Sequence, residues 1–253
     1  MENREFYWIR LAGIPLWIAP HCLELREFFR DYIICPTERD RKVFQNLMGQ
    51  ESPIQVSLDE MKRESDSGEI KYSLPYLESL AFYRKICHIL LKEGIVLFHS
   101  SALAIHGKAI LFTAASGTGK STHSRLWRES FGSEVTMIND DKPLLKVRED
   151  KVTVYGTPYG GKEGLHTNTE ALVAAIVILH QAEENAIQRI SFGEAYPALL
   201  NQTYRRKDVA GMVQTMDLVD TLAKLPVYRL GCTISEEAVE VVYRQLKEDG
   251  VMQ

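Results

Sequence analysis

Three features of the sequence predict an α/β fold, a central β-sheet flanked by helices behind a small β-containing N-terminal module. A glycine-rich loop, Ala114-Ala115-Ser116-Gly117-Thr118-Gly119-Lys120-Ser121-Thr122, sits between an apolar run and a helix-compatible stretch. Val135-Thr136-Met137-Ile138 is a β-rich run that delivers Asn139-Asp140-Asp141 at its end. Leu77, Leu80, Ala81, Tyr83, Ile86, Cys87, Leu90 and Leu91 recur mostly at three- and four-residue steps, which stacks them on one face of a helix.

From Phe6 to Pro20, aromatic and β-branched residues broken by Gly13 and Pro15 suit two short strands in a turn. The polar stretch from Ser57 to Gly68 has many turn formers and few apolar anchors, and it places a domain boundary near residue 70. That gives a small β-containing module over 1–70 and a main domain over 71–253. The amphipathic helix that follows ends at Gly94. Ile95-Val96-Leu97-Phe98 and Ala109-Ile110-Leu111-Phe112 read as buried strands with a tight turn at His106-Gly107 between them. Ser121 to Phe131 reads as helix. Leu144 to Val147 and Val152 to Tyr155 suggest a hairpin around Glu149-Asp150-Lys151. Ala174 to His180 and Val227 to Leu230 are further strands, Phe192 to Leu200 and Val209 to Leu225 amphipathic helices, and Ser235 opens a last helix with acidic residues in its first turn.

A net charge of -4 argues against a protein that grips nucleic-acid backbone, which takes clustered Lys and Arg. Tyr204-Arg205-Arg206-Lys207 is the one dense basic cluster, a solvated loop or a phosphate contact. Cys22, Cys35, Cys87 and Cys232 lie far apart with no C-x-x-C pair, so they read as buried thiols in a reducing cytosol. The charged start, Met1 to Glu5, precedes no unbroken apolar run, and no stretch reaches membrane-spanning length. The expected location is cytoplasmic, with neither nucleic acid nor membrane as partner.

The loop matches the Walker A pattern except that Ala114 stands at the usual first Gly. Gly117 and Gly119 let the backbone turn its N–H groups inward, and the helix N-terminus adds partial positive charge. Lys120 would neutralise the β- and γ-phosphates of ATP, Ser116 to Thr122 would line the nucleotide site, and Ser121 would reach a Mg ion. Two adjacent carboxylates at a strand end are costly to place together unless a cation or a proton-transfer role compensates them. If the chain leaves strand geometry there, one can face the metal and the other the acceptor; an Asp-Asp turn before Lys142-Pro143 is the alternative. The glycine-rich stretch Gly156 to Gly164 suits a mobile loop carrying Lys162 as a phosphate or substrate contact, and Arg205 and Arg206 are candidates for the same role. His123, His166 and His180 read as structural or exposed.

The block from Phe98 to Asp141, with His99, the hairpin, the phosphate loop and the Asp pair, resembles the catalytic core of HPr kinase/phosphorylase, whose nucleotide fold is shared with ATP-dependent phosphoenolpyruvate carboxykinase. The resemblance implies a P-loop core with strands of mixed direction. It also implies a His, here His99, contacting the transferred phosphate, a base at Asp140 and a Mg ligand at Asp141, and assembly into homo-oligomers. The sequence departs from that family at Thr122, where Glu is usual, at Asn139 before the Asp pair, and in its short N-terminal region without a docking signature for HPr. The resemblance therefore points to a shorter relative and not to a true HPr kinase. Such relatives phosphorylate serine in other polypeptides. A small-metabolite kinase and a nucleotide-binding regulator or peptide-carrier module with little turnover are the other functions this pattern allows.

Overall fold

The computed structural model describes residues 5–65, 72–115 and 117–252. The chain divides into two compact units, Met1–Glu93 and Gly94–Gln253. The N-terminal unit contains β1 (Tyr7–Leu11), β2 (Ile14–Ile18), α1 (Glu24–Phe28), β3 (Ile33–Ile34), α2 (Glu38–Met48), α3 (Leu58–Ser65) and α4 (Leu74–Leu90). Strands β1 and β2 form the expected hairpin. Ala12 and Gly13, at φ of 48° and 77°, make its two-residue turn, the left-handed pair that matches strand twist. Sheet order is β2-β1-β3. Trp8 and Trp17 stack at 5.8 Å across the hairpin, and Phe44 of α2 meets Trp8 edge-on at 5.3 Å.

This unit is more helical than its aromatic start suggests, and the polar stretch expected to mark a boundary is largely helix α3. Ser57 and Glu60 cap its start reciprocally: Glu60 accepts from the Ser57 N–H at 2.8 Å and its own N–H donates to Ser57 Oγ at 3.2 Å, a capping box written as Ser-x-x-Glu. Met61 and Glu64 are buried, and Arg84 of α4 holds Glu64 through two bonds of 2.6 and 2.8 Å. Buried Glu78, also on α4, accepts from the N–H groups of His21 and Cys22. These contacts tie α4 to the N-terminal unit, so the division falls after Glu93 and not near residue 70. Of the cysteines only Cys87 is buried; Cys35 is exposed, and Cys22 and Cys232 are partly so, a correction to the expectation of four buried thiols.

The second unit runs β4 (Ile95–Leu97), β5 (Ser101–Ile105), β6 (Lys108–Thr113), α5 (Lys120–Phe131), β7 (Val135–Asn139), β8 (Leu144–Arg148), β9 (Lys151–Tyr155), β10 (Glu170–Gln181), β11 (Ala186–Arg189), α6 (Phe192–Gln202), α7 (Val209–Leu222), β12 (Val227–Cys232) and α8 (Glu236–Glu248). The nine strands among its described residues form one mixed sheet along the path β4-β8-β9-β10-β6-β5-β7, with β12 also on β10 and β11 on β12. Strand β10 is the spine. Its first residues pair antiparallel with β9, its length pairs parallel with β6, and its C-terminal half pairs parallel with β12. Two strands escape the periodicity. β5 carries Ser and Ala where β-formers are usual yet is buried between β6 and β7. β11 is polar because it lies at an edge. His106 and Gly107, at φ of 50° and 75°, turn β5 into β6.

Helices α5 and α8 cover one face through Phe112, Trp127, Val177, Tyr228, Val242 and Leu246. His123 is buried here, edge-on to Phe112 at 4.7 Å, with Nε2 accepting from Trp127 Nε1 at 3.1 Å. Burial pushes its pKa from 6.5 down to about 4. Between those values the unfolded chain binds a proton that the folded chain refuses, so stability falls as pH drops through that window, by about 3 kcal/mol across it. Urea unfolding at pH 7 and pH 5 should show the loss. His123→Gln, which keeps an acceptor for Trp127 but cannot charge, should flatten it; an unchanged pH dependence in that variant would disprove the assignment.

Candidate active site

Strand β6 ends in buried Thr113 and leads into Ala114, whose methyl is part of the core, so a side chain is accommodated where the Walker pattern usually has Gly. Gly117 and Gly119 take φ of 80° and 112°, a region open to Gly at no steric cost. Thr118 folds back on the Ala115 carbonyl through its N–H at 3.2 Å and its hydroxyl at 2.8 Å. Helix α5 starts at Lys120, with Ser121 exposed and Thr122 half-buried beside it. Ser116 lies outside the described residues.

Strand β7 stops at Asn139, so the Asp pair leaves strand geometry. Buried Asn139 enforces the exit. Its Oδ1 accepts from the N–H groups of Asp141 and Lys142 at 2.9 and 2.6 Å, while its Nδ2 donates to Thr157 O at 3.0 Å. The turn before Lys142-Pro143 and the acid pair are therefore one structure and not alternatives, because the Asn side chain caps the turn. Asp140 Oδ1 accepts from the Gly161 N–H at 2.6 Å, and its carbonyl accepts from Ser101 Oγ at 3.0 Å. Asp141 Oδ1 lies 2.9 Å from His99 Nε2, and its Oδ2 is paired with Lys142 Nζ.

His99 is held on three sides. Its N–H donates to Gln202 O at 2.8 Å, its Nδ1 lies 2.9 Å from Gln202 Oε1, and its carbonyl accepts from Thr113 Oγ1 at 2.8 Å. Lys120 Nζ stands 3.4 Å from Nε2. A proton on Nε2 answers the Asp141 carboxylate, which makes Lys120 a neighbour of that nitrogen and not its donor. His99, Lys120 and Asp141 thus converge at one point, with Asp140 next in the chain.

The two carboxylates are driven apart electrostatically. Burial raises Asp140 above the ordinary carboxylate value, against the hydrogen bonds from Gly161 and the backbone. Burial works in the same direction on Asp141, but the His99 hydrogen bond and the Lys142 charge overcome it and hold that group at about 2. Lys120 is pushed down by burial, with Asp141 opposing. Neighbouring titratable groups with opposed shifts are a frequent mark of divided acid–base roles.

The remaining candidates are placed differently. Lys162 is exposed, on the loop whose Gly161 reaches Asp140. Arg206 is engaged by Asp208 at 2.7 Å. Arg205 is half-buried, two positions beyond Thr203, which bridges Phe98 beside His99. Lys142, Gln202, Ser101 and Thr157 also contact the site, and no motif marks any of them. The loop expected to be mobile packs Gly156, Gly160 and Gly161 tightly, while Gly164 faces open space. A Cβ on Gly160 would come within 2.9 Å of Asp140 Oδ1, and one on Gly156 would stand 1.9 Å from Thr167 O and 2.8 Å from Ile138 O. Neither carbonyl can retreat, since Thr167 is also bonded to Ile138 O through its N–H. Gly156→Ala should cost about 3 kcal/mol or more by overpacking, read as a lowered urea midpoint; a wild-type midpoint would refute the close approach.

Among the described residues no group of three His, Cys, Asp or Glu side chains is arranged to hold a metal, and no helix is long and apolar enough to cross a membrane. A Mg ion that binds with a nucleotide takes one or two protein oxygens and fills its shell with phosphate and water. Ionised Asp141 and the exposed hydroxyl of Ser121 fit that donor set.

No family model matches the chain, and no curated protein matches it. Among solved structures, the Hpr(Ser) kinase/phosphatase from Coxiella burnetii is similar over 60% of this chain and 97% of that one, at a TM-score of 0.33 and 13% identity. That likeness carries no weight for function.

Proposed function

We propose that this chain is a Mg-ATP-dependent phosphotransferase that delivers the γ-phosphate to a hydroxyl, taken from the family resemblance to be a Ser of a peptide or small protein. The convergence of His99, Lys120 and Asp141 beside the loop, with proton-accepting Asp140 next to them, is the observation that supports this reading. Loop amides from Gly117 to Thr122 bind the polyphosphate, and Lys120 neutralises it. Ser121 and Asp141 hold Mg, which when bound supplies further charge neutralisation at the transferring group. Asp140 takes the proton from the acceptor hydroxyl, its Oδ1 fixed by Gly161 and its Oδ2 left for the proton. His99, oriented by Gln202, contacts the transferred phosphate. Positioning and charge do most of the work, as phosphoryl transfer requires.

The test is transfer of labelled γ-phosphate from Mg-ATP to a Ser-containing peptide pool and a cell lysate, with Asp140→Asn and Lys120→Ala alongside. Transfer to a polypeptide that both substitutions abolish supports the kinase. Lys120-dependent ATP binding with transfer only to a small metabolite would overturn the acceptor class, and binding with no transfer to any acceptor would overturn catalysis in favour of a regulator.

A further inference from the structure

Both carboxylate oxygens of Asp141 are engaged by neighbouring side chains. Oδ1 lies 2.9 Å from His99 Nε2, and Oδ2 is paired with the ammonium of Lys142, the next residue in the chain. The two contacts are built differently. His99 is fixed through its backbone N–H and its Nδ1, both against Gln202, so its ring cannot turn away from Oδ1 without breaking a second bond. Lys142 is anchored at its backbone: its N–H donates to Asn139 Oδ1 at 2.6 Å, and its carbonyl accepts from Thr157 Oγ1 at 2.8 Å. The ammonium sits at the end of a flexible aliphatic stem that is 31% exposed, which gives it a way out to water.

That pairing sets Lys142 against a metal. Mg takes carboxylate oxygen at short range in a near-ideal octahedral shell, and an ammonium seated on the same oxygen repels a divalent ion directly. Oδ1 offers no easier approach, because His99 holds it and Lys120 Nζ stands 3.4 Å from the same ring nitrogen. Burial, and the Lys142 charge besides, push the Lys120 pKa down while Asp141 opposes them, so two ammonium groups act on the one carboxylate. A lone Mg ion therefore approaches a charge that is already offset. A nucleotide brings negative charge of its own, which compensates the metal and gives a displaced ammonium a new partner.

We propose that Lys142 competes with Mg for Asp141 Oδ2, so that the site takes the metal together with a nucleotide and poorly without one; the inference rests on the phosphotransferase reading above. Competition and coupling are then one property. A polyphosphate that draws Lys142 off Oδ2 raises metal affinity, and by linkage the bound metal raises nucleotide affinity by the same factor. The backbone anchors keep the release local: the side chain leaves, while the Asn139-capped turn that aims Asp141 stays. Lys142 acts through Asp141 and is a positioning residue.

Mn²⁺ shares the preference of Mg for octahedral oxygen ligands, and electron paramagnetic resonance reads its binding without any turnover. Lys142→Met keeps the side-chain length and both backbone anchors but removes the charge, and it should tighten nucleotide-free Mn²⁺ binding by about tenfold or more. Lys142→Arg, which retains a cation, should stay close to wild type, and adding Asp141→Asn to Lys142→Met should erase the gain. Equal Mn²⁺ affinity in Lys142→Met and wild type, an equal gain in Lys142→Arg, or a gain that survives Asp141→Asn would overturn the competition while leaving the phosphate site standing. If neither wild type nor Lys142→Met binds Mn²⁺-ATP, the phosphotransferase reading itself falls, and the competition with it.

Discussion

Lys120→Ala should lower phosphoryl transfer by about 10³-fold or more and weaken Mg-ATP binding as well. Lys120 opens α5 directly after Gly119 and is the half-buried cation of the loop, 3.4 Å from His99. Burial that pushes its pKa down also means that little water screens its charge, so its attraction for a polyphosphate exceeds that of a surface lysine. No loop amide can replace a full positive charge. Single-turnover transfer and a Mg-ATP titration read the two losses separately. A variant within about tenfold of wild type in both would remove Lys120 from the phosphate site, and the assignment of the loop with it.

Asp140→Asn should cost transfer about 10²–10⁴-fold, the usual contribution of a general base, while Mg-ATP affinity stays within about threefold. The substitution is nearly isosteric. The amide oxygen can keep the 2.6 Å bond from Gly161, so the Asn139 turn and the Ser101 contact to the Asp140 backbone survive. Only the proton-accepting oxygen is lost. The same change at Asp141 should instead weaken Mg dependence, because it removes the charge that His99 and Lys142 now share. Full transfer by Asp140→Asn would disprove its role as base, and an equal fall in affinity and rate would mark it as a positioning residue.

Much of the second unit was legible because its signals are local. Strand β6, the loop, α5 and β7 follow one another within a single supersecondary unit, and Gly117, Gly119, Lys120 and the Asp pair lie inside it. The 144–155 hairpin and helices α6, α7 and α8 were equally visible, since their turns, caps and periodicity sit within a few residues of each other. Strand β5 was missed because Ser and Ala carry weak β-preference, and its burial between two neighbours decides its state. Helix α3 shows itself in the sequence only through its Ser57–Glu60 box; with Met61 its one buried apolar residue and Glu64 buried against Arg84, it has almost no apolar stripe.

The sequence by itself determined that a glycine-rich loop precedes a helix and that two carboxylates follow the next strand, because backbone conformation there depends on residues adjacent in the chain. Tertiary structure alone decided what those groups touch. Gln202, which orients His99, lies 103 positions downstream, and Gly161, which fixes Asp140, is 21 positions away across a loop. Nothing in either residue marks it for that role. Long-range partners follow from strand order, and strand order is settled by how a whole sheet buries its faces, a property no local stretch of the chain contains.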